Sequence, residues 1–304
     1  VPIAQRPLFA LLLRIVAMVL ISTMFMIVKY AGESGVALPE IMFWRQAVCA
    51  PLLFGWLAIN GKLSMLRTRR LSVHGRRAAV GMGGMVCNFG AAILLPLAEA
   101  TTLGFTTPLF AVILTGLVMR EKVGPWRWLA VALGFAGVLI IAQPGHAPIS
   151  LLGAAAGLGS GLLVAIVSFQ IKDLARSEPP IAVVFYFAFF GSLLMAPLMP
   201  FFMTSHTAFQ WLLLIGVGVI GTIAQLFLTA SLRFGSVASV IVMDYSALIW
   251  ATLYGWLIWD HLPPTATWLG APAIIAAGIT IAWREHKLGK IATLEAKAQA
   301  ETQS

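Results

Sequence analysis

The stretch FTTPLFAVILTGLVMREKVGPWRWLAVALGFAGVLII, Phe105–Ile141, has a second copy further along the chain: MDYSALIWATLYGWLIWDHLPPTATWLGAPAIIAAGITIA, Met243–Ala282. Setting Glu121 on Asp260 brings Gly116 onto Gly255, Pro125 onto Pro264 and Thr107 onto Ser246, and one inserted residue later Leu129 meets Leu269. Each copy is two apolar runs joined by a short polar turn. A helix that crosses a bilayer needs about 20 mostly apolar residues, so the pattern asks how many such runs the chain holds and how they are arranged.

The rest of the chain has the same texture. Of 304 residues, 60% are hydrophobic and 10% charged, and mean hydropathy is +0.93. A soluble domain carries about 25% charged residues, so the expected solvent is a lipid bilayer. Ten segments qualify as spans: Leu8–Tyr30, Leu38–Ile59, Ala78–Leu97, Thr101–Met119, Trp126–Gln143, Ile149–Ile171, Ile181–Phe202, Phe209–Ser231, Ser236–Trp259 and Thr267–Trp283. Barrel strands would be about 10 residues of strict alternation, a pattern absent here. The first segment exceeds the apolar core of about 7–15 residues in a cleavable leader, so it reads as a span. Cys49 and Cys87 both fall inside spans and read as packing residues. No cofactor or metal framework is expected.

The net charge of +9 is distributed by side. With the amino terminus in the cytoplasm, 17 of the 20 Lys and Arg fall on the cytoplasmic side, from Arg6 through the Lys62–Arg77 loop to Lys297; Lys29 alone falls opposite, and Arg14 and Arg45 lie within spans. Basic residues in short cytoplasmic loops fix orientation. Both termini are therefore expected in the cytoplasm of a multi-pass inner-membrane protein, and no nucleic-acid partner is needed to explain the charge. The sharpest Pro/Gly break, Gln143–Ser150, follows five spans and precedes five. An odd number per half inverts the second copy in the membrane. The expected fold is all-α, ten transmembrane helices as two inverted five-helix repeats, 1–145 and 146–284, with a polar tail at 285–304. Such repeats build secondary transporters with the solute site between the halves; a duplicated scaffold that carries nothing is the plain alternative.

The motifs LAEATTLGFTTPLFAVILTGLVMREKVGPWRWLAVALGFAGVLI, VKYAGESGVALPEIMFWR and DYSALIWATLYGWLIW resemble, in order and on the expected spans, those of the drug/metabolite transporter superfamily, in particular its ten-span EamA-type carriers. The resemblance covers about Leu8 to Trp283. Asp260 stands where the family pattern has Glu. The resemblance implies a small-metabolite carrier. Similarity to the YddG-type exporters implies amino acids as cargo, aromatic and neutral ones included; carriage of nucleotide-like metabolites or drugs, and uptake in place of export, are the other implied readings. The four-span multidrug relatives use a first-helix glutamate for proton exchange, and Leu8–Tyr30 holds no acidic residue, so that mechanism does not carry over.

Polar residues inside spans are the candidate site, because an ionisable group in hydrocarbon costs about 2.5–3.5 kcal/mol on insertion scales and faces a cavity or a partner. Asp244 lies about 12 Å into its span and Arg45 about 9 Å into its own, by the helical rise of about 1.5 Å per residue. Asp244 is expected to meet solute, water or Arg45. Arg45 is expected to hold a solute carboxylate in a two-pronged contact or to pair with Asp244 or Glu40. Arg14 is expected to snorkel to the interface on its long stem. Asn88 and Gln225 take nearly equivalent places in the two halves and are expected to face inward, toward solute or toward another helix. Tyr245 and Thr107 sit beside equivalent positions of the ninth and fourth spans, with Pro108 as a helix-interior hinge. Gly153, Gly157 and Gly161 form a small-residue face that lets helices approach closely, either within a monomer or across a dimer. An intramembrane enzyme would need a catalytic constellation, and His74, His146, His206, His261 and His286 all read as loop or tail residues without ligand spacing.

Overall fold

The computed structural model describes residues 7–118, 120, 123–142, 150–174, 177–234 and 242–302. The Pro/Gly break at 143–149, Glu121 of the repeat alignment, the expected start of the ninth span near Ser236, and Arg6, Lys122, His146 and Arg176 lie outside the described residues. Those that are described are helical throughout the membrane-length runs, with no strand among them. In chain order the helices are α1 Pro7–Glu33, α2 Leu38–Ile59, α3 Leu71–Leu94, α4 Leu97–Gly104, α5 Thr107–Ile113, α6 Pro125–Ala142, α7 Leu151–Leu174, α8 Pro180–Met195, α9 Met199–Phe202, α10 Ala208–Phe234, α11 Ala247–Trp259 and α12 Thr265–Thr302. Among the described residues, eight helical stretches are long and apolar enough to cross a membrane, and Pro125–Ile141 is a shorter apolar helix. The chain is an all-α, multi-pass integral membrane protein.

Helix ends follow local chemistry. Pro39 and Pro180 sit in the first turns of α2 and α8, where a missing N–H leaves no bond unmade. The α1–α2 connection turns on Gly35 at φ +90°, a conformation that costs residues with a Cβ but not glycine. Asp260 ends α11 in the left-handed region, φ 49°, where Asp is among the few non-glycine residues at home.

Two expectations are corrected here. The third helix begins at Leu71, not Ala78, so His74, Arg76 and Arg77 are helical residues rather than loop residues. The fourth span begins at Leu97 and is broken, α4 ending at Gly104 and α5 starting at Thr107. Pro108 therefore occupies the first turn of α5 and is not inside a continuous helix. The break lies just before it, at Phe105–Thr106, and its carbonyls are taken up locally: the Thr106 hydroxyl donates to Leu103 O at 2.6 Å and the Thr107 hydroxyl to Gly104 O at 3.0 Å. A turn of π-helix, Leu114–Val118, follows α5. In the second half a 3₁₀ turn at Val242–Ser246 precedes α11. The two irregular segments meet, with Phe105 and Tyr245 edge-to-face at 4.9 Å between ring centroids.

The main helix pairs are α1 with α10, α3 with α7, α2 with α8 and α6 with α12. Lipid supplies no hydrophobic drive for helices to associate, so close packing of small residues does. A Cβ on Gly137 of α6 would lie 2.7 Å from Gly270 O of α12, which is where those backbones touch. The α7 glycine face packs inside the chain: Gly153 against Leu95, Gly157 against Leu103 and Gly161 against Thr106 and Phe110. The core between α1, α2, α3 and α10 is built from Val28, Ile41, Met42, Phe89, Leu214 and Val217. Residues such as Leu8, Ile59 and Phe201 are more than three-quarters exposed; hydrocarbon is the solvent in which such a surface is stable.

Bonds between distant segments gather at the two ends of the bundle. At the end where α1 begins, Tyr186 Oη donates to Leu66 O at 2.6 Å, Thr68 Oγ1 donates to Glu178 Oε1 at 2.6 Å, and Arg70 pairs with Asp173 at 2.5 Å. At the opposite end, Trp259 Nε1 donates to Glu33 Oε2 at 2.6 Å, Gln210 Nε2 donates to Ser34 O at 2.9 Å, and His206 pairs with Glu40 at 2.5 Å.

Candidate functional site

A cavity of about 350 Å³ lies between α1, α2, α3, α7, α8 and α10. Arg45 from α2, Asn88 from α3 and Gln225 from α10 all line it, and so does Arg77 from the first turns of α3. Three of the sequence-predicted site residues thus converge. A smaller recess continues past Arg45 and Arg77 toward Gln46, Cys49 and Thr222. Arg45 Nη1 donates to Gln46 Oε1 at 2.9 Å, while its buried Nε has no partner. Arg77 is buried, with its guanidinium 4.0 Å above the Phe187 ring. The ring face attracts the cation and fixes its plane, yet Arg77 Nε and Nη1 remain without an acceptor. Small residues shape the walls: a Cβ on Gly81 would come within 2.8 Å of Phe187, and one on Gly221 within 2.9 Å of Met24 Sδ and 3.5 Å of Arg45 Nε.

The other expected residues lie elsewhere. Asp244 is held by Arg14, Nε to Oδ1 at 2.5 Å and Nη2 to Oδ2 at 2.6 Å. Two corrections follow. Asp244 finds its partner on α1 and not in Arg45, and Arg14 does not snorkel: it is buried at 6% exposure and spends its fork on the carboxylate. Tyr245 meets Phe105 edge-to-face and packs its hydroxyl onto Gly278, a site no larger residue fits. Thr107 caps the end of α4. None of these three lines the cavity. Asp244, Tyr245 and Thr107 form the meeting point of the two helix breaks, and Arg45, Asn88 and Gln225 form the cavity wall.

Arg77 escaped the sequence reading because two adjacent arginines after a basic loop read as that loop's continuation. The signal that finds it is spacing. Arg77, Gly81, Gly84 and Asn88 fall at helical intervals on one face of α3, and all four line the cavity. Glu40 and Glu99 are wholly buried; Glu40 bonds His206 and not Arg45, and Glu99 accepts from Thr267 Oγ1 at 3.2 Å. His74, read as a loop residue, is buried in α3 against Tyr186. A larger groove of about 620 Å³, between α2 and α8, is walled by Phe43, Phe54, Phe185 and Phe189 with Ser192 as its polar contribution. It offers no charged group and opens to the bundle surface, so it lacks what fixes the orientation of a polar solute.

Comparison with known proteins accords with this architecture. The profile of the EamA-like transporter family matches twice, at residues 8–143 and 151–283. A pseudopaline exporter of Pseudomonas aeruginosa is 31% identical over 277 residues, 89% of this chain and 94% of that protein. A riboflavin transporter of Vibrio cholerae is 29% identical over 86% of this chain and 88% of its own length. An S-adenosylmethionine uptake transporter of Rickettsia prowazekii is 24% identical over 82% and 84%. A solved crystal structure shares the fold, with a TM-score of 0.63 at 23% identity over 90% of this chain and 96% of the other. These relatives are transporters, not enzymes, and their named cargoes differ from one another. The chain belongs to the EamA-like transporter family.

Proposed function

We propose that this protein is an alternating-access carrier of the bacterial inner membrane that exports a small metabolite of the amino-acid class. The observation that carries the reading is the convergence of Arg45, Asn88 and Gln225, from three helices, on one cavity. A guanidinium suits a carboxylate, and the two amides suit the donors and acceptors of the remaining solute. A volume of about 350 Å³ is at the small-molecule end of ligand sites, about 300–1,000 Å³.

The reading takes the chain as ten spans in two inverted halves. In its support, α1 packs on α10 and α3 on α7, the first helix of each half on the third of the other. The pairs α2–α8 and α6–α12 each join equivalent helices. The family profile also matches once per half. Both breaks, Phe105–Thr106 and Val242–Ser246, lie at equivalent places and touch. Irregular backbone at such sites lets one half rock against the other, while the bonds at the two ends of the bundle close and open in turn. Positive charge on one set of loops supports cytoplasmic termini.

The test is uptake into vesicles reconstituted with purified protein, across a panel of radiolabelled amino acids, nucleosides and riboflavin. Saturable uptake of amino acids, lost in Arg45→Gln, is expected. Saturable uptake of riboflavin or nucleosides alone would replace the cargo assignment.

A further inference from the structure

Among the described residues, the cavity wall carries two guanidinium groups and no carboxylate. The Lys and Arg ion pairs among the described residues are Arg14–Asp244, Lys29–Glu33 and Arg70–Asp173, and Glu40 is hydrogen-bonded to His206. Neither Arg45 nor Arg77 takes part in any of them, and no acidic residue lines the cavity. Asp244, the acidic group that a solute ammonium would seek, is engaged by both prongs of Arg14.

Two cations in one low-dielectric cavity repel each other and lose hydration. Phe187 orients Arg77 but neutralises no charge, and two of the Arg77 nitrogens lack acceptors. Buried guanidinium groups are stable when paired and hydrogen-bonded. A solute with two anionic groups would give both guanidinium groups an acceptor.

We infer that the cavity selects dicarboxylate solutes, one carboxylate held by Arg45 and the second by Arg77. This rests on the carrier reading above and narrows its cargo from amino acids in general to acidic ones and other small dicarboxylates. Neutral aromatic amino acids, with one carboxylate and an ammonium that finds no counter-charge, fit the site less well. Arg77 is a solute-binding residue in this account, and Phe187 a positioning residue.

The comparison that tests it is glutamate against glutamine, alike in shape and different by one charge, with glutarate as a dicarboxylate lacking the ammonium. Binding to the purified full chain in detergent is measured by calorimetry. A hydrogen-bonded charge contact is worth about tenfold to a hundredfold in affinity. Glutamate and glutarate are expected to bind at least about tenfold tighter than glutamine. The ratio is expected to fall to about one in Arg77→Gln and to survive in part in Arg77→Lys. Equal affinities in the wild type, discrimination that persists in a folded Arg77→Gln, or no binding of any of the three overturns the inference. The wild-type comparison stands even where Arg77→Gln does not fold. Because binding is read without transport, a discriminating site in a protein that moves nothing contradicts the carrier reading alone. Transport of neutral amino acids without discrimination contradicts this inference alone.

Discussion

Arg14 and Asp244 form a two-pronged ion pair across 230 residues of sequence, joining the first helix to the 3₁₀ turn that precedes α11. Arg14 Nη1 also reaches Leu228 O of α10 at 3.4 Å. One arginine therefore ties α1 to both segments that flank the undescribed stretch 235–241. Both oxygens of the Asp244 carboxylate are engaged by this one guanidinium.

Breaking that pair should cost stability first. Loss of one partner of a buried ion pair costs about 3–5 kcal/mol at full burial. The Asp244 side chain keeps 30% exposure, so Asp244→Asn should cost somewhat less than that, read as a lower melting temperature in detergent. Asp244→Asn combined with Arg14→Gln should recover part of the loss. A single mutant with wild-type melting would show that the pair carries no stability.

The α6–α12 contact should be intolerant of bulk. Gly137→Leu forces a side chain into Gly270 O, and overpacking costs about 1–3 kcal/mol. Gly55 of α2 has open space where its Cβ would lie, so Gly55→Leu serves as the control and should melt like wild type. Equal melting of the two variants would contradict the packing.

Pro108 opens α5 directly after the break, so its contribution is to hold the break in place rather than to bend a helix. Pro108→Ala should fold and melt near wild type but slow exchange in vesicles, since a residue with an N–H lets α4 and α5 join. Unchanged exchange together with a stability loss of several kcal/mol, the range of a core defect, would make the proline a packing residue.

How much of this was legible in the sequence depends on the length scale of the signal. The apolar runs set the helices, because span length is local. Aligning Thr107 with Ser246 sets the break before α5 against the 3₁₀ turn before α11, because equivalent residues keep their spacing. Arg77 was hidden by a window that stops at charged residues, although a helix continues through them when the charge has a cavity to face. Arg14 was misread because snorkelling is the commoner fate of an arginine near a span end, and a partner 230 residues away leaves no local trace. Pro108 reads as a hinge inside a helix but stands in the first turn of α5, since proline marks the helix it begins as readily as the one it bends.

Orientation is open to direct labelling. Arg69 is exposed in the basic loop before α3, and Arg69→Cys should resist an impermeant thiol reagent in intact cells and react after lysis. Labelling in intact cells would reverse the orientation.

The central claim is that one site, walled by Arg45, Asn88, Gln225 and Arg77, is presented to the two membrane faces in turn. Counterflow measures this most directly. Vesicles are loaded with unlabelled glutamate and diluted into a trace of labelled glutamate, with wild-type protein and with Arg45→Gln. The account predicts a transient accumulation of label above equilibrium in the wild type and none in the variant. Label that only equilibrates through the wild type, with no overshoot, is what an open pore gives and would contradict the account.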